Sequence, residues 1–269
     1  MKTTSTVPAT TAFAEDLFTK RVETFDCLGS DKVAKAFGLT LDQATVPAIP
    51  FTEEELKRAR KLGQFLILHA PTTMQQLHSR LNNVLGDGKL LYDIDWYKGE
   101  QFYTTETTRL EWRLVGREVI SGSTGQNYLS QTQVLADYVR EHVYGSMELP
   151  AAYQAAIKEF EDRKDELERL ADKDWKAGAE AMANLQLNRL FRGTPADTLF
   201  DVIAYFKVNG EYLLPNMYHW SASRSSRGNL VGLGFGGAGG VYVRGFDPRN
   251  SLDNLGVVFS RGAIPSLVS

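Results

Sequence analysis

The clearest indication of the fold class lies in residues 218–261, YHWSASRSSRGNLVGLGFGGAGGVYVRGFDPRNSLDNLGVVFSR. Aromatic residues, Ser, Arg and Gly dominate it, and short β-prone pieces alternate with turn residues. The segments before it carry mainly helical signals. The sequence therefore predicts an α+β fold, with helices early and a compact β region last. The main β pieces expected in that region are Tyr212–Leu214, Gly239–Phe246 and Leu255–Ser260.

The glycine string GLGFGGAGGV, residues 232–241, fits the G-x-G-x-x-G pattern of nucleotide-binding loops twice. That pattern requires a following helix, whose N-terminus receives the phosphates. Here Val241–Phe246 is β-prone, and the 28 residues after Val241 leave no room for a βαβ crossover. A Gly-Lys-Ser/Thr motif is also absent from the sequence. We therefore expect the glycines to bend and space short strands, without a nucleotide.

Capping signals predict where several helices begin. Three capping boxes are Thr52 with Glu55, Thr73 with Gln76, and Ser130 with Gln133. Thr194 followed by Pro195 predicts another helix start, and Asn209-Gly210 predicts its end. The strands expected among these helices are Gln64–His69, Leu90–Trp96 and Trp112–Ile120.

Residues 149–190 are rich in Ala, Glu, Lys, Asp and Leu, unlike their surroundings. Gly178 predicts a break, so we expect a helical hairpin. The charged residues of Lys158–Lys176 are interpreted as a solvated helix face rather than a partner surface. The apolar residues spaced for the opposite face are Ile157, Phe160, Leu167 and Leu170.

The composition limits the classes of protein and site. The 269 residues, 43% of them hydrophobic, can build a core without disulfide bonds or bound metal ions. Cys27 is the only cysteine, which excludes an internal disulfide and a zinc cluster built on several cysteines. A net charge of -3 provides no global attraction for nucleic acid. Without an apolar run of roughly 20 residues or a secretory-signal core, we expect a soluble protein, cytoplasmic or associated with a phage or cell surface by another route.

Three pieces of the C-terminal stretch are WSASR (220–224), GVYV (240–243) and LGVVFSR (255–261), preceded by RGTPAD (192–197) and YLLP (212–215). Together they resemble the variable proteins of diversity-generating retroelements, which have a C-type-lectin-like fold shared with formylglycine-generating enzymes. A weaker similarity covers residues 112–115 and 126–132. The resemblance implies one domain over residues 51–269. The helical segment at about 149–190 departs from the family's pattern and is interpreted as an insertion, and the Ser- and Thr-rich start of the chain predicts a partly flexible extension over residues 1–50.

The resemblance also implies a non-enzymatic ligand-binding protein, whose variable region, about residues 216–261, is altered by adenine-directed mutagenesis. Its partner would be another protein or a cell-surface molecule. Alternation agrees with this role, because it places Val241 and Val243 on one face and Tyr242 and Arg244 on the other. Val257 and Phe259 can face a core in the same way. The candidate ligand-binding residues are Arg227, Asn229, Leu233, Phe235, Tyr242, Arg244, Phe246, Arg249, Asn250, Ser251 and Asp253.

Two alternatives stay open. An enzyme on a related fold could use Asp93 and Asp95, which at i, i+2 on a strand would share one face and suit hydrolysis or calcium binding. A structural receptor-binding component of a phage or surface assembly could use the same C-terminal face. We expect no cofactor and no metal, because the calcium-sugar signatures of C-type lectins are missing and the four histidines lack metal-binding spacing. The sequence leaves the oligomeric state open.

Overall fold

The computed structural model describes residues 8–18, 26–85, 88–235 and 240–264. Helices and strands are both abundant in these ranges, which confirms the predicted α+β class. A 3-10 turn lies at Gln43–Thr45 and a π-helix at Val139–Tyr144. The α-helices are α1 (Thr11–Phe18), α2 (Ser30–Phe37), α3 (Glu53–Lys61), α4 (Met74–Leu81), α5 (Gln101–Thr104), α6 (Tyr128–Tyr138), α7 (Ala151–Lys173), α8 (Trp175–Ala183), α9 (Gln186–Phe191) and α10 (Pro195–Asn209).

The strands are β1 (Cys27–Leu28), β2 (Gln64–Leu68), β3 (Trp112–Gly116), β4 (Tyr218–Arg224), β5 (Leu230–Phe235), β6 (Val241–Phe246), β7 (Leu255–Gly256) and β8 (Ser260–Arg261). They form a first sheet in the order β1-β2-β3-β8 and a second sheet in the order β6-β5-β4-β7. In the first sheet β1 runs parallel to β2, and the other pairs are antiparallel. In the second sheet β4, β5 and β6 form an antiparallel meander, and β7 joins β4 in parallel.

The first sheet is covered on both faces, and every residue of β2 and β3 is buried. Phe65 and Ile67 belong to the core that contains α10, whereas Leu66 and Leu68 belong to a core with Trp112 on the opposite face. Successive strand residues point to opposite sides, so a sheet covered on both faces favours apolar side chains at consecutive positions, as in Phe65–Leu68. This explains the uninterrupted apolar run in β2.

Helix α10 lies in the core that contains Phe65 and Ile67, which we call the main core. The helix begins and ends where the sequence predicts. The Thr194 hydroxyl accepts a hydrogen bond from the Asp197 amide at 3.1 Å, and the Asp197 carboxylate accepts one from the Thr194 amide at 2.9 Å. Gly210, with φ 71°, ends the helix in the left-handed conformation that glycine adopts readily. Phe200 stacks on Phe37 of α2 with ring centroids 4.2 Å apart, which joins the two helices.

Residues 149–190 form three helices, and the predicted break at Gly178 is wrong. The break between α7 and α8 lies at Asp174, whose carboxylate caps α8 by accepting from the amides of Lys176 and Ala177. Gly178 lies inside α8. A Cβ atom there would lie 2.6 Å from the Cα of Ala171, so the missing side chain permits close packing of α7 on α8.

These three helices are part of the domain core rather than an appendage. Phe160 and Leu167 of α7 belong to the same apolar cluster as Trp220 of β4. Phe191 of α9 stacks on Phe259, with ring centroids 5.5 Å apart and planes inclined by 22°. Val257 and Phe259 are buried, as alternation predicted. The segment therefore completes the core beneath the second sheet.

Two predicted strands are wrong. Leu90–Trp96 makes a single parallel bridge, from Leu91 to Val241, and then enters turns. The Asp93 carboxylate accepts a hydrogen bond from the Asp95 amide at 3.0 Å, a local turn that competes with a strand ladder. Tyr212–Leu214 is irregular because Leu214 has φ 55°. The predicted strand at Leu255–Ser260 is present only as the short strands β7 and β8.

The observed ends of several other helices and strands differ from the predicted ends by a few residues. Strand β3 ends at Gly116 instead of Ile120. Helix α6 is capped by Asn127, whose side chain accepts from the Ser130 amide at 2.8 Å, so Ser130 lies inside the helix. The boxes at Thr52 and Thr73 are confirmed. Of the predicted strand Gly239–Phe246, β6 covers the last six residues, and Gly239 lies outside the described ranges.

The described part of the N-terminal extension packs into the domain. β1 adds a parallel strand to β2, and Cys27 is buried there. The Trp112 indole N–H donates to the Pro47 carbonyl at 2.9 Å. Residues 26–50 therefore share the first sheet and its core with residues that follow position 51.

Candidate ligand-binding face

Strand β6 is an edge strand with one buried face and a second face that is open at Tyr242 and Arg244 and covered at Phe246. Val241 and Val243 are buried, Tyr242 is half-buried and Arg244 is exposed, which is the predicted alternation. Six consecutive pairs with β5, from Phe235↔Val241 to Leu230↔Phe246, fix this register. A one-residue slip would exchange the two faces, so the register determines which side chains reach solvent.

An aromatic cleft borders the outward face of β6. The rings of Tyr242 and Tyr92 lie with centroids 4.5 Å apart, and Tyr92 is 56% exposed. The Trp96 indole N–H donates to the Val243 carbonyl at 3.3 Å, which ties the 88–100 segment to β6. The cleft has a volume of about 390 Å³ and is also lined by Asp93 and Arg244. It combines aromatic surface with one charge of each sign.

Arg244 extends the cleft toward the body of the second sheet. Its guanidinium carbon lies 5.8 Å from the centre of the Tyr218 ring, within the range of a cation–π contact. The side chain is exposed, so its planar set of donors stays accessible to a carboxylate or to a second aromatic ring. Tyr and Arg are side chains that concentrate binding energy in protein interfaces.

The loop 247–254 is exposed but internally ordered. Asp247 accepts from the Arg249 amide at 2.9 Å and from the Arg249 guanidinium through both carboxylate oxygens. The guanidinium of Arg249 holds the pKa of Asp247 below its usual range. Asn250 accepts from the Asp247 amide at 3.0 Å, and the Gly125 amide donates to the Leu252 carbonyl at 3.0 Å. Ser251 and Asp253 are presented on this ordered backbone.

The β4–β5 hairpin carries Arg227, which is exposed, and Asn229, which is half-buried. The Glu100 carboxylate accepts from the Ser226 amide at 2.6 Å and from its hydroxyl at 2.7 Å. On the other side, Arg224 pairs with Glu180 of α8 at 3.3 Å. Contacts from the 88–106 segment and from α8 thus hold the hairpin in place.

Three predicted ligand-binding residues lie in the interior instead. Leu233, Phe235 and Phe246 are 1%, 4% and 8% exposed. Leu233 and Phe235 belong to the main core, and Phe246 stacks on Trp220 with ring centroids 5.8 Å apart. Leu233 and Phe235 are therefore not accessible for the predicted contact role, because their core includes α10. Phe246 packs with α7, α8 and α9 in the other core, and its small exposed remainder lines the aromatic cleft. The sequence shows that these residues are apolar and β-prone, but it does not show which helices cover them.

The glycines of β5 explain how the aromatic side chains fit. A Cβ atom at Gly232 would lie 2.7 Å from the Phe246 ring, and one at Gly234 would overlap the Tyr218 ring. Both glycines lie within the strand, so they make space for rings rather than bends. Gly236, Gly237 and Gly239 of the same string lie outside the described ranges.

The acidic pair of the enzyme alternative does not share a strand face. Asp93 and Asp95 lie on a turn, and both are exposed. Asp95 pairs with Lys98 at 3.2 Å, at the surface. His69 and His219 are buried, and His78 contacts the Tyr103 hydroxyl at 2.9 Å. Among the described residues, no group of three or more His, Cys, Asp or Glu side chains is placed to hold a metal ion.

Tyr92 and Trp96 also belong to this face, although the sequence did not single them out. Their signal was present, since two aromatic residues flank the acidic pair, but the segment was predicted as a strand. We define the recognition face as the exposed or half-buried set Tyr92, Trp96, Arg227, Asn229, Tyr242, Arg244, Arg249, Asn250, Ser251 and Asp253.

Comparisons with known proteins assign no family to this arrangement. Neither a family model, nor a curated protein, nor a solved structure matched the chain. Among the described helices, none has both the length and the apolarity that a membrane crossing needs.

Proposed function

We propose that the protein is a non-enzymatic ligand-binding protein, which displays a diversified recognition face on a C-type-lectin-like scaffold, as a retroelement variable protein does. The observation that carries the proposal is the alternation in β6. Tyr242 and Arg244 point outward beside the aromatic cleft, while Val241 and Val243 are buried. The amino acid at such an outward position can be substituted without altering the packing of the core.

The chemistry of the face suits recognition of another protein or a cell-surface molecule. Aromatic rings supply rigid contact area at low cost in conformational entropy, and Arg244 supplies forked donors. The backbone beneath is held by the Arg249–Asp247 turn and by the bonds from Glu100 to the hairpin. A pre-organised backbone lowers the ordering cost of binding, whichever side chains it carries.

The retroelement part of the proposal is tested in the surrounding DNA. We expect a near-copy of the codons for residues 218–261, differing mainly at adenines, beside a reverse-transcriptase gene. The differences should fall on codons of the recognition face and spare the buried Leu233, Phe235 and Phe246. Differences distributed equally over buried and exposed codons would contradict the proposal.

The binding part is tested by selection from two displayed libraries of equal size. The first randomises Tyr242, Arg244, Arg249, Asn250, Ser251 and Asp253, and the matched control randomises six exposed positions of α7: Gln154, Ala155, Lys158, Asp162, Asp165 and Glu166. Both are selected against the same purified globular protein. We expect specific binders from the first library only, because it alone varies residues that line the aromatic cleft, Tyr242 and Arg244. Binders at equal frequency from both libraries would contradict the proposal.

A further inference from the structure

A second cleft, of about 560 Å³, lies elsewhere on the surface and shares no lining residue with the aromatic cleft. One wall is the chain that leaves β3, residues 116–121. The opposite wall is the C-terminal half of α6, continued by the π-helix Val139–Tyr144. The volume is in the range of small-molecule sites, which are roughly 300–1,000 Å³.

The inner part of this cleft is apolar. Phe259 is 1% exposed and lines it, and Val134 and Ile120 are half-buried on opposite walls. The half-buried Tyr138 adds its ring beside Phe259, with centroids 5.5 Å apart. An apolar body of a ligand could therefore be removed from water here.

The rim of the cleft has an excess of negative charge. Glu118, Asp137 and Glu141 line it, and the one lining guanidinium, Arg117, is engaged by the buried carboxylate of Asp26. Asp137 accepts a hydrogen bond from the Gln133 amide group at 3.0 Å. Arg140, on the same helix, is paired away from the cleft with Glu161 at 2.6 Å. The titratable side chains of Tyr138 and His142 also line the cleft.

The wall formed by the π-helix is unusual in itself. π-helical turns are rare and recur at functional sites. Here the turn carries Glu141 and His142 into the cleft lining. The Arg58 guanidinium donates to the His142 carbonyl at 3.0 Å and fixes the end of this wall against α3.

We propose that this cleft binds a small organic cation, a protonated amine attached to an apolar aliphatic or aromatic body. The body packs against Phe259 and the apolar walls, and the ammonium group lies near Asp137 and Glu141. The ligand's positive charge and apolar surface then both complement the cleft, whereas the rim carboxylates would repel an anion of the same shape. This site is independent of the recognition face.

The test is a calorimetric titration of the full chain with three probes that share one body: 4-phenylbutylamine, 4-phenylbutanol and 4-phenylbutyrate. We expect the amine to bind about tenfold more tightly than the alcohol, the effect of a hydrogen bond to a charged group. The carboxylate probe should bind most weakly. A variant with Asp137→Asn and Glu141→Gln should bind the amine no better than the alcohol, and should leave the affinity for the alcohol unchanged.

Two further variants locate the binding. Val134→Trp should fill the cleft and abolish binding of both the amine and the alcohol, with circular dichroism showing that the fold persists. Arg244→Ala, on the recognition face, should leave all three affinities unchanged. Equal binding of the three probes, no binding of the amine, or an amine preference that survives in the double variant would each overturn the proposal.

Discussion

Strand β2 of the first sheet is buried on both faces along its whole length, whereas β6 at the edge of the second sheet has one face that is buried only at Phe246 and open at Tyr242 and Arg244. In β2, Phe65 and Leu66 face different cores, so no position is free of a packing role. In β6, Val243 is buried and Arg244 beside it is exposed. Within β6, positions that pack in the core therefore alternate with positions that are open to solvent.

The largest effect is expected at Phe246, which belongs to β6 but packs on Trp220 in the core. Phe246→Ala should lower the free energy of unfolding by about 3–5 kcal/mol, because it removes a buried ring and leaves a cavity. Urea denaturation followed by circular dichroism measures this. Phe246→Leu is the matched control, and its free energy of unfolding should fall by less than that of the alanine variant. A loss below about 1 kcal/mol for the alanine variant would place Phe246 on the recognition face after all.

The next effect concerns one buried histidine beside the first sheet. His69 follows β2, and its ring nitrogens lie 2.7 Å from an Asp201 oxygen and 3.3 Å from an Asp197 oxygen. Burial lowers the pKa of His69, but the two carboxylates outweigh it and raise the pKa to about 9. The protonated form therefore stabilises the fold fully below pH 6.5. On the order of 3 kcal/mol of stability should be lost as the pH rises from 6.5 through about 9, and His69→Gln should flatten this limb.

The second sheet supplies the control for that profile. His219 in β4 is buried with its Nε2 unpartnered, and burial together with Arg192 lowers its pKa to about 4. Because the unfolded chain binds this proton more readily, His219 destabilises the fold as the pH falls from 6.5 toward 4. His219→Gln should change the pH dependence of stability only in this acid range. A change of the alkaline limb in that variant would contradict the assignment.

A smaller effect is expected at Gly234, in the strand that supports β6. Gly234→Ala places a methyl group against the Tyr218 ring and should cost about 1–3 kcal/mol through overpacking. Gly99→Ala is the matched control, since a Cβ atom at Gly99 meets no heavy atom within 4 Å. Thermal unfolding of both variants measures the difference. Equal melting temperatures would show that the Tyr218 ring moves aside freely.

The smallest effect is expected at Arg244. Arg244→Ala removes an exposed side chain whose described contact is with the Tyr218 ring at 5.8 Å, so the free energy of unfolding should change by less than about 0.5 kcal/mol. The same variant made in any binder selected from the recognition-face library should weaken its binding. A variant that unfolds easily would show that Arg244 is part of the scaffold.

The sequence predicted much of this division and missed the part that depends on distant packing. The capping boxes at Thr52 and Thr73 and the alternation in β6 are local patterns, and the structure confirms them. The burial of Phe246 depends on α7, α8 and α9, which lie 50 to 100 residues earlier in the chain. The strand predicted at Leu90–Trp96 failed because the Asp93 side chain forms a local turn.

The most direct test of the central claim is a scan of every substitution at each position of Val241–Phe246, with the folded fraction of each variant measured by protease resistance. We expect high tolerance at Tyr242 and Arg244 and low tolerance at Val241, Val243 and Phe246, following their exposure. Uniform tolerance along the strand, or low tolerance at Tyr242 and Arg244, would contradict it.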